Sequence, residues 1–190
     1  MIRIGILGAI GSGKSFVAKK FGYPVFNADY EVAKLYKKDR KIYKKLKKIL
    51  PNYIFSFPVN KNEISKAILA NRRNLKKIIK IVHFAVRKKL NNFLRTNKSK
   101  KFVILDIPLL LETKINKKED ILIFVKSQKT QVLKRLKKRK NFNQKLLSKF
   151  NSIQLPLDYK KKRSHFIIKN DFTKVTVIKY IKNILKEITR

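Results

Sequence analysis

The chain has 190 residues, 44% of them hydrophobic, and sets 50 lysines and arginines against 11 acids for a formal net charge of +39. That length allows one good core, a single compact domain with a small appendage, and the apolar fraction argues against disorder. With no cysteine, disulfides and thiolate-bound metals are excluded, and no apolar run approaches the roughly 20 residues needed to cross a bilayer.

Residues 2–7 form a short, mostly apolar run, as expected of a central strand buried on both faces of a parallel sheet. The chain enters this strand at once, without a signal-peptide pattern, so a cytoplasmic protein is expected. Gly8-Ala9-Ile10-Gly11-Ser12-Gly13-Lys14-Ser15 follows and fits G-x-x-x-x-G-K-[ST], the phosphate-binding loop. Glycines let the backbone curl into a nest of inward N–H groups, and the next helix, over 14–21, adds its positive end. Lys14 reaches the β- and γ-phosphates, and the Ser15 hydroxyl can ligate Mg²⁺. Three of the five glycines in the chain lie inside this motif, which speaks against a chance match.

Residues 24–27 read as a second strand that delivers Asp29 at its C-terminal end. The spacing of Val32, Leu35, Tyr36, Ile42, Leu46, Ile49 and Leu50 predicts helix over 30–50, closed by Pro51. Residues 52–62 are irregular, with Phe55, Phe57 and Pro58 as anchors. Helices are expected over 63–69 and 72–94, the second with a stripe through Leu75, Ile78, Ile79, Val82, Val86, Leu90 and Leu94. This helical insert, about 52–98, lies where phosphoryl-transfer enzymes of this class carry a substrate-binding subdomain. Strands three, four and five are expected over 102–106, 121–125 and 166–168. Helices are expected over 130–139 and 173–189, with a short helix or cover over 141–151, and 137–140 and 160–163 are basic runs. Strands alternating with helices imply an α/β fold, a five-stranded parallel sheet covered on both faces.

The charge has two readings. A phosphate-rich partner, nucleic acid first, would use it. Compositional drift towards lysine explains it better, because the lysines spread along the chain and do not cluster on one face or tail. Specific nucleic-acid binding is therefore not expected.

Strand ends in such a sheet converge on the phosphate loop, so Asp29 and Asp106 are each candidates for general base or indirect Mg²⁺ partner. The plainer alternatives are a helix N-cap before Tyr30 for Asp29 and a strand-ending turn before Pro108 for Asp106.

Several patches together resemble the dephospho-coenzyme A kinase family, P-loop kinases of the adenylate-kinase type. The loop itself is similar to the family's T-G-G-I-G-S-G-K-S. Asn27-Ala28-Asp29 stands where the family has D-A-D, His83-Phe84-Ala85-Val86 resembles H-P-x-V, and Pro108-Leu109-Leu110-Leu111-Glu112 resembles P-L-L-F-E. Arg135 and Arg139, Gln154 and Asn170 match R-x-x-x-R, a later Q and V-I-x-N. The loop alone is generic; the order and spacing of the other patches are specific.

The resemblance implies ATP-dependent phosphorylation of the ribose 3′-hydroxyl of dephospho-CoA by a single domain over 1–190. Its core would be about 1–51 and 99–190, with the acceptor insert at 52–98 and a lid at about 135–155. It implies Asp29 as the base that orients and deprotonates the hydroxyl, with Lys14 and Arg139 stabilising the transfer. ATP would be held by Gly8, Gly11, Ser12, Gly13, Lys14, Ser15, Phe16, Arg135, Arg139 and Asn170, the last bordering the adenine. Mg²⁺ would sit on Ser15, and the acceptor on Asp29, His83 and Glu112. Glu112 could otherwise be an exposed turn acid, and His83 a satisfied helical histidine. A monomer is expected. The chain departs from the family pattern at Ala9, Asn27, Phe84, Phe150 and Ser164-His165. None of these touches Lys14, Ser15 or Asp29, so an active kinase is expected.

Overall fold

The computed structural model describes residues 1–139 and 142–189. The end of the 137–140 basic run, the start of the cover expected from 141, the matching part of the 135–155 lid and the last residue of the domain lie outside the described residues. The chain forms two compact units.

The first unit comprises Met1–Asn27, Leu94–Phe142 and Gln154–Arg190. It holds the sheet: β1 (Ile2–Gly8), β2 (Val25–Asn27), β3 (Phe102–Asp106), β4 (Ile121–Lys126) and β5 (Phe166–Lys169). The order is β2-β3-β1-β4-β5 and every pairing is parallel, as the apolar strands predict. All strands therefore end at one edge. Ile4, Ile6, Phe102, Ile104, Ile123 and Ile168 from the sheet pack with Val17, Ala18 and Val177 from helices α1 (Lys14–Lys20) and α9 (Lys174–Ile188). At the opposite, N-terminal edge the Arg3 fork grips Asp120, Nε on Oδ1 and Nη2 on Oδ2, each at 2.9 Å.

Two further helices belong to this unit, α6 (Lys129–Lys137) and α8 (Leu157–Lys162). The helix expected over 130–139 stops at Lys137, so Arg139 falls in the turn beyond it, with its N–H on Leu136 O at 3.0 Å. The α8 segment was expected only as a basic run. It starts after Pro156 and buries Lys160, which its charge pattern conceals.

The second unit, Ala28–Phe93 with Asn143–Ile153, is helical. The single helix expected over 30–50 is two, α2 (Ala28–Lys38) and α3 (Arg40–Ile49). Asp39 causes the break: its carboxylate accepts the N–H groups of Lys41 and Ile42 at 2.9 and 3.0 Å, which caps a new helix instead of continuing the old one. Asn60 caps α4 (Lys61–Ala70), and Glu63 accepts the N–H groups of Phe55 and Ser56 at 3.2 Å, which orders the loop before it. The long α5 (Arg72–Thr96) buries Leu75, Ile78, Val82, Val86 and Leu90 of the expected stripe, while Ile79 and Leu94 are half-buried. Asn143 caps α7 (Gln144–Asn151), which packs on α4, and Arg72 Nη2 donates to Ser152 O at 3.1 Å. This unit thus begins at Ala28 and takes in 143–153, whereas the insert expected from sequence ran from 52 to 98.

Candidate functional site

The phosphate loop leaves the central strand at Gly8 and enters α1 at Lys14. Its glycines are required. Gly8, Gly11 and Gly13 have φ of +141°, +83° and +88°, a region that side chains avoid. A Cβ on Gly8 would also lie 2.7 Å from Val125 O, and one on Gly11 would lie 2.9 Å from Leu136 Cγ. Behind the loop, α6 supplies Val132 and Leu136 as that wall, both buried.

A set of buried polar groups holds the loop in shape. Ser12 is 1% exposed, and its carbonyl accepts from Asn170 Nδ2 at 2.8 Å and Ser127 Oγ at 2.9 Å. Its own Oγ is buried and has no hydrogen-bond partner among the described residues. Lys14 Nζ curls back onto Gly8 O at 3.1 Å and Ala9 O at 2.7 Å. The Ser15 hydroxyl is exposed at the second position of α1, and the ring of Phe16 packs against the core, so that Phe16 faces the loop through its main chain.

Asn170 was expected to border an adenine; its side chain is already committed. Besides donating to the loop, its Oδ1 accepts the N–H of Phe172 at 2.9 Å, and the residue is 3% exposed. That bond holds Phe172 at φ +68°, with its ring against Gly13. The Arg135 guanidinium stacks 4.2 Å from the centre of the Phe172 ring, a cation–π pair. Asp171, between them, accepts from Thr173 and Thr176, and the Thr173 N–H above all holds its carboxyl below the usual carboxylate range.

At the same sheet edge β2 and β3 end in register at Asn27 and Asp106. Asn27 Nδ2 donates to Asp106 Oδ2, and Asp106 is buried. Asp106 does end β3, as the plainer alternative had it, but it is not an exposed turn residue. Glu112 is not an exposed turn acid either: its side chain is 10% exposed, and its Oε1 takes Lys160 Nζ at 2.7 Å and the Leu155 N–H at 2.8 Å.

In the helical unit, Asp29 is exposed and sits at the second position of α2, inside the helix, so the N-cap alternative fails. His83 is half-buried on α5, with Nε2 buried and without a hydrogen-bond partner among the described residues. Burial first, and the positive Arg87 second, push its imidazole below the ordinary histidine value, so at neutral pH it is uncharged. Phe84 beside it is 74% exposed.

Sequence reading missed Ser127, Phe172 and Lys160. Ser127 follows a strand end at the functional edge and Phe172 follows the V-I-x-N match, which were available signals. Lys160 gave none, because it sits among lysines that face water.

The model of the dephospho-CoA kinase family matches residues 2–175. A dephospho-CoA kinase from the Wolbachia of Brugia malayi is 36% identical over 191 residues, 98% of this chain and 97% of its own length. That of Bartonella quintana is 34% identical over 96% of this chain and 98% of its own. Among solved structures, TT1252 from Thermus thermophilus superposes with a TM-score of 0.79 at 26% identity, over 100% of this chain and 98% of its own. The dephospho-CoA kinase from Campylobacter jejuni (TM-score 0.66, 21% identity, 98% and 96% covered) supports the fold. So does a shikimate kinase from Acinetobacter baumannii (TM-score 0.54, 15% identity, 100% and 93% covered).

Proposed function

The chain belongs to the dephospho-CoA kinase family, and from that premise we propose how its residues divide the work. The family transfers a phosphoryl group from ATP to an alcohol, the ribose 3′-hydroxyl of dephospho-CoA, in the last step of coenzyme A synthesis. The observation that carries the residue assignment is the pinned loop. Its amides are shaped by three positive-φ glycines and braced by Asn170 and Ser127, with Lys14 poised on its carbonyls.

Such a cradle holds ATP phosphates by main-chain N–H groups at no reorganisation cost. The donors fit the ligand: Lys14 Nζ can exchange Gly8 O and Ala9 O for β- and γ-phosphate oxygens, which carry more charge. Phe16 N–H, in the first turn of α1, adds a donor that the helix itself leaves unsatisfied. Arg135, stacked on Phe172, and Arg139, in the turn after α6, bring guanidinium forks to the transferring phosphoryl group. Asn170 acts behind the loop, as its support.

Mg²⁺ would be held by the Ser15 hydroxyl and the nucleotide's own phosphates, and would neutralise charge as it builds on the leaving oxygens. The exposed Ser15 hydroxyl, at the second position of α1 just after the loop, is an oxygen donor that fits a hard cation.

Asp29 follows the last residue of β2 by two positions, and β2 ends at the same sheet edge as the loop. As an exposed carboxylate it accepts the 3′-hydroxyl proton. The hydroxyl oxygen bonds to the γ-phosphorus, the bond to the β,γ-bridging oxygen breaks, and ADP leaves with that electron pair. His83, in the helical unit, and Glu112, on the segment after β3, are each assigned to the acceptor, with the insert at 52–98 and the lid at about 135–155. No helix among the described residues is long and apolar enough to cross a membrane. A cytoplasmic enzyme is proposed from its substrates, ATP and a water-soluble acceptor.

The test is ADP release from Mg-ATP with and without dephospho-CoA, with the product identified by mass. A product one phosphate heavier, formed only with the acceptor, is expected. Asp29→Asn should lower kcat by about 10²–10⁴-fold with ATP binding retained. ATP binding without acceptor-dependent turnover would overturn the reading, and nucleic-acid-stimulated hydrolysis would replace it.

A further inference from the structure

Among the described residues two lysines are buried, Lys14 and Lys160, and Lys160 is the more deeply so at 1% exposure. A buried ammonium costs several kcal/mol unless it is paired and hydrogen-bonded. Lys160 Nζ donates to Glu112 Oε1 at 2.7 Å and to Gln154 Oε1 at 3.0 Å. Its position is fixed from behind: Ser164 Oγ donates to Lys160 O at 2.8 Å, and α8 packs on the central strand β1.

The arrangement is one-sided. Glu112 Oε1 takes both the ammonium and the Leu155 N–H at 2.8 Å, while Oε2, also buried, has no hydrogen-bond partner among the described residues. A salt bridge kept only for stability would satisfy both oxygens, because an orphaned buried acceptor carries its full desolvation cost. Glu112 lies six residues beyond Asp106, on the segment that leaves β3 at the functional edge.

We propose that Lys160 is a positioning residue of the kinase. It occupies Oε1 of Glu112 together with the Leu155 N–H, and so reserves Oε2 for a hydroxyl or N–H of dephospho-CoA. This rests on the reading of Glu112 as an acceptor-side residue. Because Oε2 is already out of water, a donor that reaches it forms a charge-assisted bond without stripping hydration from the carboxylate.

The test compares Lys160→Met, Glu112→Gln and the double variant Lys160→Met/Glu112→Gln in the full chain. KM for dephospho-CoA, KM for ATP and the thermal midpoint are measured for each. The double variant keeps the experiment decisive if Lys160→Met does not fold, since it removes both buried charges together. Each variant should raise KM for dephospho-CoA by about tenfold or more with KM for ATP within about twofold, and the double variant should be no worse than the worse single. A lowered thermal midpoint with KM for dephospho-CoA unchanged in the double variant would overturn the proposal and leave a structural ion pair. So would an equal rise in both KM values. Absence of acceptor-dependent turnover in the unaltered chain would instead overturn the functional reading beneath it.

Discussion

Lys14 and Lys160 stand in the same α/β unit, each withdrawn from water in a chain of +39 charge, yet their surroundings differ. Lys14 reaches two carbonyls of its own loop, at 9% exposure, and those neutral oxygens can be traded for phosphate oxygens. Lys160 is bound to a carboxylate at 1% exposure, and moving it would strand Glu112 in a dry site. The first lysine is held in a way that lets it be used, the second in a way that orients its partner. A count of charges cannot make this distinction. The acceptors around each ammonium do.

Replacing each lysine by methionine tests that contrast. Lys14→Met should lower kcat/KM by about 10³-fold, about 4 kcal/mol in the barrier, since it removes a cation from the transferring phosphates. Its cost in stability should be the smaller one, about 1–3 kcal/mol, because the two acceptors it releases, one of them buried, are neutral carbonyls. Lys160→Met should cost more stability, about 3–5 kcal/mol for a broken buried pair. Paired assays of turnover and urea midpoint read both effects. If Lys14→Met proved as destabilising as Lys160→Met, the contrast would fail. Asn170→Ala sharpens it at a smaller scale. It takes one of two donors from Ser12 O and frees the Phe172 N–H, so about 1–3 kcal/mol of stability is expected to be lost. Because the loop then loosens, KM for ATP should rise while KM for dephospho-CoA stays nearly constant; a change in the acceptor KM alone would show that Asn170 is no support of the loop.

How far the sequence was legible follows the same division. The strands and the phosphate loop could be read because parallel strands need mostly apolar runs and because the loop needs glycine at fixed places. Gly8, Gly11 and Gly13 all have positive φ where the motif requires them. The helical unit was less legible. Asp39 breaks a helix by capping its successor, a side-chain choice that the apolar spacing of Leu35, Ile42 and Leu46 does not reveal. Asn170 could be picked out by motif, but its work on Ser12, 158 residues earlier, could not. Lys160 was hidden because burial of a lysine is decided by Glu112 and Gln154, far away in sequence or on another turn.

His83 extends the comparison to a basic group whose neighbouring charge is positive, and its expected effect is the smallest of these. Burial, then Arg87, hold its folded value below 6.5. Above that pH both folded and unfolded chains keep it neutral, and it adds no pH dependence. As pH falls below 6.5 the unfolded chain takes the proton first, so stability drops with acid until the folded ring protonates as well. Other groups lose stability in acid too, and the +39 charge adds repulsion, so the share of His83 is the difference from His83→Gln. Urea midpoints between pH 7.5 and about 5 should fall more steeply for the unaltered chain than for the variant, with the curves converging above 6.5, the unperturbed histidine value. Parallel curves would mean that the folded ring accepts a proton as readily as the unfolded one. Its buried Nε2 would then have found a partner on protonation, and the neutral state of the acceptor-side histidine would no longer follow from its surroundings.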